Sequence, residues 1–280
     1  MPTRPFGSVG AVPVVGQGTW EMQTDQAASI AALRRGLDLG LTHIDTAEMY
    51  GEGACEEIVA EAIADRRDEV FLVSKVLPEN ASRAGTVRAC EQSLRRLRTD
   101  RLDCYLLHWR GQHPLAETLA GFEALLAAGK IRSFGVSNFD VDDLDELARL
   151  VPLERCACNQ VLLHLEQRYA EGALLERCRR HGMALVAYSP LGQGQLVRPG
   201  RDATARRAVL EEVARAHGAT PHAVALAFLL RMPGVVVIPK ASSVAHVDDN
   251  AMAAQLALTP GEITRIDAVF PSRGRRLAYV

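Results

Sequence analysis

Asp45, Tyr50, Lys75 and His108 bring an acid, a phenol, an amine and an imidazole into the first part of a 280-residue chain. Asp45, Lys75 and His108 each close a short apolar run, as a residue at a strand end does. Together the four would make a proton-transfer device. Withdrawal from water lowers a lysine pKa from ~10.4, and a neighbouring carboxylate reverses that shift. Asp45 is the obvious carboxylate. A charged ammonium beside a phenol is expected to lower the phenol pKa from ~10 toward neutrality, each unit being worth about 1.4 kcal/mol. Such a phenol can donate a proton to a developing alkoxide, while His108 orients the carbonyl oxygen from one ring nitrogen. Tyr50 lies five residues past Asp45, in Thr46-Ala47-Glu48-Met49-Tyr50-Gly51, a loop able to fold back over the strand ends.

Lysine usage sharpens this reading. Only Lys75, Lys130 and Lys240 are lysine, so 29 of the 32 basic residues are arginine. A retained lysine points to a need for a compact ammonium, because the two cations differ in geometry and in how readily they shift pKa. The six cysteines (55, 90, 104, 156, 158, 178) form no CxxC pair and no zinc-ligand spacing. Cys156 and Cys158, two apart in a strand-like stretch, should share a face as small buried hydrophobes. A chain of this length buries enough core without disulfides.

These residues need a scaffold, and the pattern supplies one. Apolar, β-branched runs at 12–19, 41–45, 70–75, 102–108, 131–137, 156–160, 183–189 and 235–238 read as eight strands. Residues 6–11, with a turn at Gly10, precede the first as the other arm of a hairpin. Helical periodicity fills the gaps at 25–39, 54–66, 115–128, 141–150, 170–181, 203–217 and 221–231. Ser82 caps a further helix with Val87, Cys90, Leu94 and Leu97 on one face. Thr220-Pro221 opens the helix at 221, and Thr259, Pro260 and Glu262 cap a last one. Strand–helix alternation implies parallel strands joined by right-handed crossovers. The expected fold is α/β, a (β/α)8 TIM barrel with an N-terminal β-hairpin, forming a single domain over 1–280. A doubly wound sheet competes, but Gly16-Gln17-Gly18-Thr19-Trp20 and Gly192-Gln193-Gly194 lack its glycine-rich phosphate turn.

In such a barrel, chemistry collects at the C-terminal strand ends. Those ends read Trp20, Asp45, Lys75, His108, Ser137-Asn138, Gln160, Tyr188-Ser189 and Lys240. Any one of them suits a surface cap; jointly they line one mouth. A net charge of -2 and a pI near 6.5 give no bulk attraction to nucleic acid or to an acidic membrane. No apolar run approaches membrane-spanning length, and no signal-peptide segment is visible. A cytoplasmic monomer with a small-molecule partner is expected.

The motifs match a family pattern. Ile44-Asp45-Thr46-Ala47-Glu48-Met49-Tyr50-Gly51 resembles the aldo-keto reductase signature D-x-A-x-x-Y-G. Ser74-Lys75, Leu106-Leu107-His108-Trp109, the run from Gly129 to Phe139, Asn159-Gln160-Val161, Ala187 to Gly192 and Val237 to Lys240 are similar in order and type. The resemblance runs from about residue 5 to 270. It implies a catalytic tetrad of Asp45, Tyr50, Lys75 and His108, with Tyr50 as general acid. It implies that Ser137, Asn138 and Gln160 hold a nicotinamide carboxamide and that Tyr188 stacks on the ring. Thr19, Trp20, Ser189, Pro190, Leu191, Gly192 and Gln193 would complete the nicotinamide and pyrophosphate contacts. Ile238, Lys240, Ala241, Ser242, His246, Asp249 and Asn250 would meet the adenosine end. A lysine beside the start of a short helix near Ser243 suits a phosphate.

Two departures from the pattern bear on specificity. His246 stands where many relatives have an arginine for the 2′-phosphate, and Asp249 where they have glutamate. Neutral histidine is the weaker anion partner, so NADPH is expected with NADH also accepted. The segment after Phe270 is short, which implies an open pocket bounded by Trp20, Met49 and Trp109 and suited to small aldehydes, methylglyoxal among them. Arg273, Arg275 and Arg276 read as a solvated tail.

Three other functions fit parts of the pattern. A Schiff-base lyase would use Lys75 or Lys240 as nucleophile, but a charged Lys75 beside Asp45 is a poor one. A metal hydrolase has little support, since His43, His108, His113 and His164 show no HxH or HExxH spacing; no metal is expected. A cofactor-binding redox sensor without turnover would not need the intact tetrad.

Overall fold

A computed structural model describes residues 1–197, 200 and 202–272; Arg273, Arg275 and Arg276 lie outside these residues. The chain opens with a hairpin of β1 (Thr3–Pro5) and β2 (Ala11–Pro13), paired antiparallel. Eight parallel strands follow: β3 (Gln17–Gly18), β4 (His43–Asp45), β5 (Phe71–Val76), β6 (Cys104–Leu107), β7 (Phe134–Ser137), β8 (Cys156–Leu162), β9 (Ala184–Tyr188) and β10 (Val235–Val237). Each pairs with the next in sequence, the sheet order that successive right-handed crossovers produce. The first and last strands also meet. Gly16 N donates to Val237 O at 2.8 Å, Val237 N to Val14 O at 3.0 Å and Gly18 N to Pro239 O at 3.1 Å, which closes the barrel.

Helices α1 (Gln26–Asp38), α2 (Ala54–Ala62), α3 (Arg83–Leu97), α4 (Leu115–Ala127), α5 (Val141–Leu150), α6 (Ala173–Arg180), α7 (Ala203–Ala216) and α8 (Pro221–Leu230) lie between strands. After β10 come α9 (Val244–Ala253) and α10 (Pro260–Val269). Their starts are set chemically. Asp25, Ser82, Thr220 and Ser243 each accept from a first-turn N–H, and Thr259 with Glu262 forms a full capping box. Helix α8 is apolar around its whole circumference, and Ala223 through Leu230 are all buried.

Two apolar regions result from the pleat. Val73, Cys104, Leu106, Cys158, Ala184, Val186 and Val236 fill the barrel interior with Phe6 and Val12 of the hairpin. A larger region separates sheet from helices. His43 sits inside, fully buried, with its ring edge-on to Phe6 and Phe71 at 5.5 and 5.6 Å. Burial depresses its pKa to about 4, so it packs as a neutral aromatic ring.

Two expectations need correcting. Residues 12–19 are not one strand, because the chain changes partners at Val14. Val14 N donates to Pro2 O within the hairpin, while Val14 O accepts from Val237 within the barrel. Cys156 and Cys158 do not share a face either. The β7–β8 register jumps from Phe134↔Cys156 to Val136↔Asn159, so β8 carries an extra residue and its side-chain alternation shifts. Cys156 therefore joins the outer region and Cys158 the barrel interior. All six cysteines are buried and free.

Gly135 on β7 permits this interior packing. A Cβ there would lie 2.6 Å from Leu106 Cδ2 and 2.8 Å from Cys158 Sγ. Gly135→Ala is expected to destabilise the fold by about 1–3 kcal/mol through overpacking, read as a lower urea midpoint at unchanged slope. An unchanged midpoint would show that the interior has slack.

Candidate active site

Lys75 points into the barrel from β5 and is completely buried. Its Nζ donates to Asp45 Oδ1 at 2.5 Å, to Thr46 O at 2.9 Å and to Tyr50 Oη at 3.1 Å. An ammonium has three donors and no acceptor, so its capacity is spent on these three atoms. The phenol oxygen accepts from Lys75, which leaves the phenol's own proton free to point elsewhere. The second Asp45 oxygen accepts from Gln160 Nε2 at 2.7 Å.

The Tyr50 loop is fastened to its neighbours on both sides of the tyrosine. Before it, Thr46 N donates to Val73 O at 2.9 Å. The Glu48 carboxylate accepts from Leu77 N at 2.7 Å and Asn80 Nδ2 at 3.1 Å. After it, Gly51, Glu52 and Gly53 take φ of 57°, 55° and 94°, a left-handed run that swings the chain into α2. Glycine meets that demand at two of the three positions without steric cost. Glu56 in α2 is buried, and its carboxylate accepts from Ser74 Oγ and Arg96 Nε, each at 2.6 Å. Ser74 adjoins Lys75, so the same strand anchors the helix behind the phenol and the amine in front of it. Trp20 and His108 stand edge-on to Tyr50 at 5.0 and 5.7 Å between ring centres.

Burial dominates the protonation states. It would lower the Lys75 pKa, but Asp45 and Tyr50 together outweigh it and hold the amine above its ordinary value. Burial raises the Tyr50 pKa, and the pull of Lys75 does not cancel that rise. The expected shift of this phenol toward neutrality is therefore not found, because a buried phenolate loses more hydration than one ammonium restores. His108 is pushed well below the usual histidine range by burial and then by Lys75. At neutral pH the group consists of an ammonium, an un-ionised phenol and a neutral imidazole. His108 Nδ1 is buried, with no hydrogen-bond partner among the described residues, leaving Nε2 as the ring nitrogen for the cleft.

Tyr50, His108 and Asp45 line a cleft of about 1000 Å³, while Lys75 sits behind them. Trp20, Met49 and Trp109 flank the phenol, and Thr19 Oγ1 ties the wall to Asp45 O at 3.0 Å. Ser137, Asn138, Gln160 and Tyr188 line the next stretch and bond to one another. Tyr188 Oη donates to Asn138 Oδ1 at 2.9 Å, and Ser137 Oγ to Gln160 O at 2.9 Å. Ser189, Pro190, Leu191 and Gln193 form one bank of the remainder. Ile238, Lys240, Ala241, Ser242, His246, Asp249 and Asn250 form the other. Gly192 is not in the lining. It turns the loop at φ 61°, where a Cβ would meet Gln195 O at 2.9 Å. Lys130 is nowhere near the cleft; it pairs with Glu91 on the surface, so lysine scarcity marks only two of its three lysines as site residues.

Gly18, Glu21, Gly194, Pro239 and His222 also line the cleft, and sequence reasoning missed them. His222 had a readable signal. It is the second residue of a helix between two strands, and in a barrel such helices begin at the mouth. Among the described residues, no cluster of three His, Cys, Asp or Glu side chains is placed to hold a metal ion. No helix among them is long and apolar enough to cross a membrane.

Comparison with known proteins agrees with this geometry. Residues 14–270 match the aldo/keto reductase family. The chain is 47% identical over 270 residues to the methylglyoxal reductase YeaE of Escherichia coli, covering 95% of this chain and 94% of that protein. It is 34% identical over 260 residues to the glyoxal reductase of Bacillus subtilis, covering 92% and 89%. An aldo/keto reductase from Klebsiella pneumoniae, crystallised with NADP and acetate, superposes with a TM-score of 0.92 at 47% identity, over 98% of this chain and 97% of that one. A Klebsiella pneumoniae aldo-keto reductase in complex with NADPH gives 0.92 at 46% identity over the full length of both. On its sequence, its barrel and its closed network of Asp45, Lys75 and Tyr50, the chain belongs to the aldo/keto reductase family and is an oxidoreductase.

Proposed function

We propose that this enzyme reduces small aldehydes and ketones, 2-oxoaldehydes such as methylglyoxal among them, to alcohols with NADPH, using Tyr50 as the general acid. The observation that carries the proposal is the Lys75 ammonium bonded at once to Asp45 and to Tyr50 Oη at the floor of an open cleft. The substrate class follows the names of the Escherichia coli and Bacillus subtilis relatives. It also suits the wall around Tyr50, where Trp20 is 43% exposed.

The cleft residues fit a dinucleotide. Amide and hydroxyl groups of Ser137, Asn138 and Gln160 lie beside the Tyr188 ring, a set suited to a carboxamide and a flat heterocycle. Lys240 and the N-terminal turn of α9 offer positive charge to a phosphate at the far end. A bound NADPH supplies a hydride to the carbonyl carbon. His108 Nε2 donates a hydrogen bond to the carbonyl oxygen and orients it. As negative charge grows on that oxygen, the phenol proton passes from Tyr50 Oη to it, giving the alcohol. Lys75 stabilises the phenolate left behind, and Asp45 keeps Lys75 charged throughout. A solvent proton then restores the phenol. With its pKa raised, Tyr50 enters each turnover protonated, and Lys75 offsets part of the cost of giving up that proton.

Tyr50→Phe is expected to lower kcat for methylglyoxal reduction by a factor of about 10²–10⁴ while NADPH affinity, followed by fluorescence titration, stays within about twofold. Turnover near the wild-type rate would remove Tyr50 from the role. His246→Arg is expected to tighten NADPH binding with little effect on NADH, because guanidinium pairs with phosphate better than imidazole does. Equal changes for both nucleotides would mean that residue 246 does not face the 2′-phosphate.

A further inference from the structure

Two imidazoles from neighbouring helices face the far end of the cleft. His222 is the second residue of α8 and His246 lies in the first turn of α9; both line the cleft beside Lys240, Ser242 and Asp249. The pair sits where two packed helices begin. Since α8 from Ala223 onward is wholly buried, His222 is the residue through which this helix presents an ionisable group to the cleft.

Partial burial of the His222 ring, then repulsion from His246, hold its pKa below the usual histidine value, and Asp249 pulls the other way. Lys240 faces the same end of the cleft. Asp248, on α9, is turned toward Arg35 of α1 at 2.7 Å. His217, at the end of α7, is held by Glu262 of α10 at 3.0 Å. His246 therefore opposes protonation of His222. A dianion between them reverses the balance, because each ring then gains a partner by taking up a proton.

We propose that His222 acts with His246 as a proton-linked reader of the nucleotide 2′-phosphate, so that discrimination for NADPH over NADH strengthens as pH falls through the histidine range. This rests on the dinucleotide reading above and adds to it a residue and a pH dependence. Lys240 adds its positive charge to the same end of the cleft, and the two histidines supply the part of the attraction that varies with pH. The phosphate works against them, since its own second ionisation near pH ~6 removes the dianion in acid. The effect is therefore largest between about pH 8 and 6.5.

Isothermal titration calorimetry tests this with adenosine 2′,5′-bisphosphate and 5′-AMP as probes, at about pH 8 and 6.5, in buffers of different ionisation enthalpy. For the wild type, the affinity ratio of bisphosphate to 5′-AMP should rise about tenfold from the higher to the lower pH, with net proton uptake seen for the bisphosphate only. His222→Gln should lose at least about half of that rise on a logarithmic scale, and His222→Gln with His246→Gln should lose nearly all of it. The 5′-AMP titration reports whether each variant keeps a folded site. An unchanged pH slope in His222→Gln, or proton-neutral bisphosphate binding in the wild type, overturns the proposal. If the wild type binds neither probe, the dinucleotide reading fails with it; tight binding of both at a ratio independent of pH removes only the histidine pair.

Discussion

The constraint on which this molecule turns is a lysine ammonium with no access to water. Removing such a charge from solvent costs several kcal/mol even after relaxation, and the cost is tolerable only when every donor is met. Lys75 meets that condition with one carboxylate, one backbone carbonyl and one phenol. The partners are the last residue of β4, the first residue after it and a tyrosine four residues further on, so the turn has little freedom to rearrange while the lysine stays charged. Arginine, used almost everywhere else in the chain, could not replace it, since a planar fork of five donors would leave several unmet in the same space. The catalytic geometry is thus a by-product of satisfying a buried cation.

That account also orders the electrostatics. The ammonium does not turn the phenol into a phenolate in the resting enzyme, because burial disfavours the anion more than the ammonium favours it. In the mechanism we propose, its work comes later, when the proton leaves Tyr50 and the phenolate needs a counter-charge already in place and already desolvated. Preorganised charge of this kind requires no reorientation at the moment of reaction. His108 fits the same logic. Held neutral by burial and by Lys75, it offers a hydrogen bond without adding a second positive charge beside the first.

Much of this was legible in the sequence, for identifiable reasons. The strand ends announced themselves jointly: Asp45, Lys75, His108, Gln160 and Tyr188 each stand at or near the close of an apolar stretch, and in a barrel such ends share one mouth. Helix starts were readable at Asp25, Ser82, Thr220 and Thr259 because capping is local chemistry. What escaped was non-local. The strand at 12–19 divides because two different partners claim it: β1, a few residues upstream, and β10, near the far end of the chain and outside any local window. The Cys156 and Cys158 faces depended on a bulge set by pairing with β7. His222 reaches the cleft through the packing of α8 beside α9. The direction of the Tyr50 shift needed a burial that composition cannot supply.

The central claim, that Lys75 counteracts a burial penalty on the Tyr50 phenol, can be measured directly. Residue 50 is one of five tyrosines, so ¹³Cζ labelling of tyrosine gives few enough signals for Tyr50 to be assigned and titrated by NMR. In Lys75→Met, burial and the Asp45 carboxylate act without the opposing ammonium, and Tyr50 should titrate at a higher pH than in the wild type. A Tyr50 midpoint that is unchanged or lower in that variant would contradict the account.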